Sequence, residues 1–426
     1  MSQAVEKVPL FEGWKEWSRF LGIAALLLAL HLGWLYREYR QFVTRPFYYT
    51  WGEVLEAKAH RNGRGEYRTL KVRTEDGLTL WTRSYRSAPA AGRRIRLQLL
   101  PTEKIGFREY LKGPYVPSRI KRVVPPPETL KNRLRRWIDS QHTDPRAAAF
   151  YRSIFLADPL PSALRQKIAA LGSSHLVALS GFHLGILWGV LFLLLKPLYR
   201  FVQRRFFPWR YDLLDLGSFS LALLAGYLWL TGVPPSLLRA YAMLLFGWAA
   251  VLLGVEIVSF GFLSVVGVSL LVFVPTLIFS WGFWLSMSGV FAIFLLLKYW
   301  GHLPPRAVAL FVIPFGIYLL MFPVSHTLFD GANLRQNLSP VLSLLFVPFY
   351  PLAMLLHLLG IGGVLDSGLS RLWSFADVGS FGKVLPLWIL PVYGAAALAA
   401  TRYKMFFYAL FGAAFISLFW IFSGSG

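Results

Sequence analysis

The distribution of apolar residues divides the chain into three unequal parts. A single apolar run near the start is followed by a polar, basic insert, and the second half is apolar almost throughout. Taking runs of about 17–25 apolar residues as long enough to cross a bilayer, spans are predicted near 20–36, 182–199, 213–231, 237–255, 257–274, 277–297, 307–324, 338–360, 384–400 and 406–423. The expected fold class is a polytopic α-helical membrane protein with about ten hydrophobic spans, some broken or re-entrant, and an inserted small all-β domain. No small-residue cleavage site follows the first run, which is read as a retained anchor, and the tail carries no lipidation or address motif.

The insert alternates with a period of two. Residues 47–59, 66–74, 78–85 and 93–100 read as strands, joined by Arg61-Asn62-Gly63-Arg64-Gly65, Glu75-Asp76-Gly77 and Pro89-Ala90-Ala91-Gly92. Lys71 with Arg73, and Arg94 with Arg96, fall on alternate residues and so project from one face, leaving the other apolar. A small antiparallel barrel is expected, ended by Pro125-Pro126-Pro127. Beyond it, the segment through Asn132, Arg133, Arg135 and Arg136 reads as a basic amphipathic helix lying on the membrane. A second helical stretch runs from Pro145 to Leu171 with a break near Asp158-Pro159. The division expected is 1–40 tail and first span, 41–127 barrel, 128–172 helical connector and 173–426 multi-span domain; there is no internal repeat.

Charge changes this picture in one respect. The 426 residues are 56% hydrophobic and only 15% charged, yet the net charge is +23, because 44 Lys and Arg face 21 Asp and Glu. Partners carrying negative charge follow, with lipid headgroups and nucleic acid foremost. Among short loops, Lys196, Arg200, Arg204, Arg205 and Arg210 give the strongest cytoplasmic signal, and Lys298 with Arg306 and Arg371 with Lys383 mark later ones. Alternation then puts the N-terminus inside and the insert outside. Arg402 and Lys404 disagree: they would face out, so either the last two spans form a hairpin that does not cross fully or an earlier span is miscounted. The absence of cysteine excludes disulfides, thiolate metal sites and Cys nucleophiles.

Four strings place polar groups or helix breakers at membrane depth. The first is His175-Leu176-Val177-Ala178-Leu179-Ser180-Gly181-Phe182-His183-Leu184-Gly185-Ile186. Ser180 with His183 suggests a hydrolase, and His175 with His183 a metal pair. Eight residues, about two helical turns, are too far for one ion without other ligands, and no carboxylate lies nearby in sequence to orient a base. Helix contact through small residues is the plainer reading. The second string, Gly226 to Ala240, breaks at Pro234-Pro235 and carries Arg239, whose burial in a bilayer costs about 2.5–3.5 kcal/mol unless it faces a cavity, a partner or the interface. The third and fourth are Pro275 to Gly289, with Ser280, Gly282, Ser286, Ser288 and Gly289, and Leu334 to Pro351, with Asn337, Ser339, Pro340, Pro348 and Pro351. Non-helical backbone at that depth is tolerated only within protein or beside water, which favours a pathway.

Together these strings resemble the competence domain of the ComEC family. His175 to Gly185 is similar to that family's H-L-L-A-x-S-G-L-H-x-G signature. Leu156-Ala157-Asp158, Leu164-Arg165 and Leu171-Gly172-Ser173-Ser174 look like its approach, with Ala157 where a glycine is usual. Leu230-Thr231-Gly232 with Ser236 and Arg239-Ala240, Phe279 to Ser286, and Asn337-Leu338 through Pro348 resemble later family strings. The insert looks like the family's periplasmic OB-fold domain, closing with Ile105-Gly106-Phe107-Arg108-Glu109-Tyr110-Leu111.

The resemblance implies a channel in the bacterial inner membrane that conducts single-stranded DNA during natural transformation, and no enzyme. Asp158, His175, Ser180, Gly181, His183, Gly185, Arg239, Ser280, Gly282, Ser286, Asn337 and Pro340 would form or line the path. Double-stranded DNA would be captured outside by Arg61, Arg64, Arg68, Lys71, Arg73, Arg83, Arg86, Arg93, Arg94 and Arg96. Tyr48, Tyr49, Trp51, Tyr67, Trp81 and Tyr85 would stack bases where exposed, burial in the barrel being their plainer role. No cofactor is implied, and no metal. The chain shows no phosphate-binding G-x-x-x-x-G-K-[ST] loop, so the expected partners are a periplasmic DNA receptor and a cytoplasmic helicase-like ATPase. No His-x-His-x-Asp-His cluster occurs, so a short form lacking the C-terminal metallo-β-lactamase-like domain is expected, with a separate nuclease. Monomer and homodimer both remain open. A transporter of another anion, small or lipid-linked, is the alternative, and an intramembrane hydrolase a weaker one.

Overall fold

The structure is a computed structural model and describes residues 11, 13–62, 65–84, 92–125, 128–254, 256–329, 331–376 and 384–423. It divides into a sheet unit, Gly13–Leu134 with Val268–Ser280, and a bundle unit, chiefly Arg135–Gly267 with Trp281–Gly426.

The sheet unit begins with α1 (Trp14–Val43), then β1 (Tyr48–Asn62), β2 (Gly65–Thr74), β3 (Thr79–Ser84), β4 (Arg94–Leu99), α2 (Phe107–Lys112) and β5 (Ser118–Val124). The antiparallel strands lie in the order β3-β2-β1-β4-β5. A parallel bridge between Trp81 and Tyr115 joins the far edges: Trp81 N donates to Pro114 O at 2.8 Å, and Val116 N to Trp81 O at 2.8 Å. The period-two pattern explains the interior. Leu70, Val72, Leu80, Ile95, Leu97 and Leu99 are fully buried, and Tyr39, Phe42 and Val43 at the end of α1 pack against them. Gly52 lies where β1 passes so near β2 that a Cβ would stand 2.5 Å from Val72 Cγ1. Four strands match the sequence reading. The fifth escapes it because Arg119, Lys121 and Arg122 dilute its apolar face, and most of the closing string 105–111 lies in α2. Residues 268–280 complete the unit: His31 Nδ1–H donates to Val272 O at 2.8 Å, and Arg108 and Lys112 of α2 lie over the Phe279 ring.

The helices that follow are α3 (Leu130–Asp139), α4 (Pro145–Leu156), α5 (Ser162–Ala170), α6 (Ser174–Val177), α7 (Gly181–Phe206), α8 (Asp212–Leu230), α9 (Pro235–Leu252), α10 (Phe260–Phe273) and α11 (Trp281–Trp300). Then come α12 (Pro305–Ala307), continued by a π-helical segment Val308–Val312 into α13 (Ile313–Leu328), α14 (Ser339–Leu358), α15 (Asp366–Phe375), α16 (Ile389–Ala400) and α17 (Lys404–Phe422). A Cβ at Gly217 in α8 would strike the Trp248 ring of α9, so this glycine permits the two helices to approach.

Each of the ten apolar runs coincides with a helix, but among the described residues seven helices are long and apolar enough to cross a membrane. They are Trp14–Val43, Gly181–Phe206, Asp212–Leu230, Trp281–Trp300, Pro305–Leu328, Leu334–Leu358 and Lys404–Phe422. Ser236–Leu252, Phe260–Phe273 and Ile389–Ala400 are shorter. At about 1.5 Å per residue the last two reach only about 18–21 Å, against a hydrocarbon core of about 30 Å. A largely helical chain with seven such helices and a small antiparallel sheet fits a polytopic membrane protein.

Pro348 and Pro351 lie inside a continuous helix, so the break predicted over 334–351 is confined to the 3₁₀ turn Leu334–Leu338; the one at Pro275–Phe279 is also 3₁₀. The basic loop that conflicted with the charge rule has a structural answer. Lys298 Nζ donates to Thr401 O and Tyr299 OH to Ala400 O, both at 2.6 Å, so the α16–α17 turn and the end of α11 lie together. Arg402 and Lys404 therefore share one end of the bundle with Lys298.

Candidate functional site

The outer face of the sheet carries cations over aromatic rings. Arg94 lies over Trp51, Arg96 over Tyr49, Lys58 and Lys71 over Trp81, and Arg83 between Tyr67 and Tyr115, at 5.1–5.7 Å from the ring centroids. Strand alternation explains the sorting, since Leu70, Val72, Ile95 and Leu97 take the inward positions and Lys71, Arg94 and Arg96 the outward ones. Of the aromatics, Tyr48 packs against the core beside Phe42, whereas Tyr49, Trp51, Tyr67 and Trp81 lie outside. Arg96 faces Arg122 across β4 and β5, so cation faces cation. Arg94 is paired with Glu75, while Arg68 and Arg73 also carry interactions and Arg93 is exposed. Arg64, Arg86, Tyr85 and the side chain of Arg61 lie outside the described residues.

In the bundle unit the signature folds as a short helix, a turn and the start of a long helix. Ser180 is the N-cap residue of α7, extended at φ −138°. Its backbone N–H donates to His183 Nδ1 at 3.3 Å, and its Oγ lies 3.2 Å from the same nitrogen. Because Nδ1 accepts, the neutral ring carries its hydrogen on Nε2, and that buried atom has no hydrogen-bond partner among the described residues. The fully buried ring sits edge-to-face against Phe346 and Tyr350, with centroids 5.0 Å and 4.9 Å away. Ser180 and His183 thus fasten the turn from which α7 starts, and among the described residues no carboxylate holds the other ring nitrogen.

The approach to the signature meets the later Asn337 string. Gly172 has φ +66°, and a Cβ there would lie 2.9 Å from Gln336 O. Ser339 Oγ donates to Gly172 O at 2.9 Å, and His175 Nε2 lies 3.0 Å from Ser343 Oγ. Asn337 Oδ1 accepts from Tyr318 OH at 2.7 Å, and Pro340 is buried at the start of α14. Behind them, Tyr227 OH donates to Phe155 O at 2.7 Å and Tyr350 OH to Ile154 O at 3.3 Å.

Asp158 follows Ala157, whose φ of +59° explains why a glycine suits that place. Its carboxylate receives Arg135 Nε at 2.7 Å and Nη2 at 2.6 Å, a bidentate pair that ties α3 to the α4–α5 turn. Beside it a cleft of about 350 Å³ is lined by Ser153, Asp158, Arg165, Ser174, Pro234 and Ser236. Arg239, one turn into α9, is 8% exposed and has no hydrogen-bonding or ionic partner among the described residues. A Cβ at Gly181 would meet Ala240 Cβ at an ordinary 3.6 Å, and nothing lies within 4 Å of a Cβ at Gly185. Gly282 and Ser286 sit in the first turns of α11, exposed and half-buried, and Ser280 belongs to the sheet unit. Sequence reasoning placed Arg135 on a basic helix and Ser339 in the fourth string without their partners, and it missed Gln336, Ser343, Tyr227 and Tyr350, whose roles come from contacts far apart in the chain. Among the described residues no group of three or more His, Asp or Glu is placed to hold a metal.

Comparison with known proteins supplies the context. Residues 157–424 match the competence protein family. An uncharacterized protein of Escherichia coli, YcaI, is 28% identical over 230 residues, 51% of this chain and 29% of that protein. Recombination protein 2 of Haemophilus influenzae is 28% identical over 193 residues, 41% of this chain and 24% of that protein. The alignments thus span less than a third of either relative. No solved structure matches. With well over half of its length, signature included, matching in one continuous stretch, the chain belongs to the competence protein family.

Proposed function

We propose that this protein conducts one strand of DNA across the bacterial inner membrane during natural transformation, after its sheet unit has captured DNA on the periplasmic side. The observation that carries the reading is the outer sheet face, where five cations lie over five aromatic rings. Phosphates are attracted by the cations without sequence choice, and the rings stack on bases at about 1–3 kcal/mol each. We read the sheet as an OB-like barrel: β1 pairs with both β2 and β4, and β3 meets the segment leading into β5. The family and the name of the Haemophilus relative, a recombination protein, support DNA as the substrate. In the bundle, Arg239, with no acidic partner among the described residues, supplies a guanidinium for a passing phosphate, and the turn at Ser180 and the breaks at Pro234 and Leu334 interrupt helices as a polar path requires. Ten spans, three of them short and partly re-entrant, are part of this proposal. Energy would come from a partner ATPase.

The test is import of fluorescent double-stranded DNA into cells deleted for the gene and complemented with wild type or with Trp81→Ala/Arg94→Ala/Arg96→Ala. Label entering the cytoplasm only with the wild-type chain, and reduced capture by the triple variant, supports the proposal. Equal cytoplasmic entry with and without the gene refutes it and favours transport of a smaller anion through Arg239.

A further inference from the structure

The bundle unit buries a cluster of ionisable groups that no motif announces. His142, in the connection between α3 and α4, has a fully enclosed side chain whose ring stacks on Tyr151 with centroids 4.7 Å apart. Its Nδ1 lies 3.0 Å and 2.9 Å from the two carboxylate oxygens of Asp366, the first residue of α15. Its Nε2 lies 3.0 Å from Nε2 of His357 in α14, and His357 Nδ1 lies 2.7 Å from Ala353 O.

The direction of these bonds fixes the number of protons. Ala353 O can only accept, so His357 Nδ1 carries a hydrogen, and a neutral ring then leaves its Nε2 as an acceptor. That acceptor requires an N–H on His142 Nε2. A neutral His142 would therefore turn a bare Nδ1 lone pair toward a carboxylate, acceptor against acceptor. The contact becomes a hydrogen bond only with one further proton, on the ring or on the carboxyl. Placing two hydrogens on His357 and letting His142 donate to Asp366 requires the same number. We propose that Asp366, His142 and His357 form a proton-binding site, and that the bound proton latches the α3–α4 connection to the α14–α15 turn.

The surroundings fit a latch. Trp137 Nε1 and Gln141 Nε2 donate to His357 O at 3.1 Å and 3.2 Å, and Gly362 N donates to Gln141 Oε1 at 2.8 Å. At Gly363 a Cβ would meet Gln141 O at 2.6 Å, so the two segments touch backbone to backbone. Among the described residues, the other ionisable group facing the site is the Tyr151 hydroxyl, which is buried without a partner there and raised above its ordinary range chiefly by burial. The charges of the neighbouring elements are engaged elsewhere, Asp139 with Arg152 and Asp144 with Arg146, and Arg371 of α15 is exposed.

Proton linkage gives the test, on the full chain in one detergent. In the unfolded chain the two rings titrate near about pH 6.5 and the carboxyl near about 4. Between about pH 5 and 6.5 the unfolded chain binds more protons than the latch, so stability rises with pH; above about 6.5 it binds fewer, and the folding constant falls by up to about tenfold per pH unit. In Asp366→Asn the amide N–H donates to a neutral His142 Nδ1, preserving every link without the extra proton. The wild type is therefore expected to show a maximum and the variant a plateau, their difference isolating the site. The same alkaline fall in both overturns the proposal. Should the variant not fold, ring-nitrogen NMR and carboxyl infrared spectra of the wild-type chain near about pH 8 decide: the proton found on an imidazole or a carboxyl supports the latch, and its absence from both overturns it.

Discussion

Replacing Gly172 by alanine tests the junction between the signature approach and the start of α14. The left-handed backbone at φ +66° costs an L-residue about 1–2 kcal/mol. The new methyl would stand 2.9 Å from Gln336 O, 3.1 Å from Gln336 Cα and 3.1 Å from Ser339 Cβ. Two of these are backbone atoms, so the segments must part, and overpacking of this kind costs about 1–3 kcal/mol. Lower entropy of the unfolded chain offsets about 0.4–1 kcal/mol. The sum is a loss of about 1–5 kcal/mol, with the Ser339–Gly172 hydrogen bond the first casualty. Gly185→Ala is the matched control: it lies in a helix with nothing within 4 Å of the added methyl, and helix propensity predicts a gain of up to about 1 kcal/mol. Thermal unfolding of both in one detergent, with DNA import beside it, reads the difference. Wild-type stability in Gly172→Ala, or greater damage in Gly185→Ala, would refute the reasoning.

Asp158→Ala leaves Arg135 half-buried without its bidentate acceptor, the two side chains being 13% and 22% exposed; a loss of about 2–3 kcal/mol is expected, and a double-mutant cycle with Arg135→Ala should show coupling of about 0.5–3 kcal/mol. Ala157→Gly relieves the φ of +59° and should raise unfolding stability by up to about 1 kcal/mol, whereas Ala157→Val should lower it. Asp144 caps α4 through Arg146 N at 2.8 Å, and the Arg146 guanidinium holds its carboxyl below the usual carboxylate range. Because the folded value is depressed, this stabilisation is present above the ordinary carboxylate value and fades as pH falls through the lowered one. Asp144→Ala should therefore cost about 1 kcal/mol near neutrality and less in acid, while Asp144→Asn keeps the cap at both.

The helices of the second half were legible because an apolar run reports its position through composition alone. Their lengths were not: α10 and α16 end at Val274-Pro275 and Thr401, and their neighbours supply the apolar flanks that made them look long enough to span. Strands β1 to β4 announced themselves by alternation, while β5, with Arg119, Lys121 and Arg122, resembles a basic linker until its pairing with β4 is known. For the site, the signature pointed to Ser180 and His183, which are local partners. It could not point to Ser343, 168 positions from His175, nor to Asp366, 224 from His142, because such pairings are decided by packing rather than by spacing. The aromatic residues of the sheet were ambiguous for another reason: inside and outside differ by one residue of register, and only the structure fixes that register.

The sheet unit is discontinuous, and this sets a schedule for synthesis. Its first part ends at Leu134, but Val272, which accepts from His31, and Phe279, which lies beneath Arg108 and Lys112, belong to Val268–Ser280. At about 5–20 residues per second the ribosome needs roughly 7–27 s to make the intervening stretch. During that interval the nascent first helix must wait in the bilayer with the His31 imidazole lacking its acceptor. Ribosome pausing between codons 135 and 268 would lengthen the exposure, and insertion factors that shelter polar side chains in lipid would find their client there.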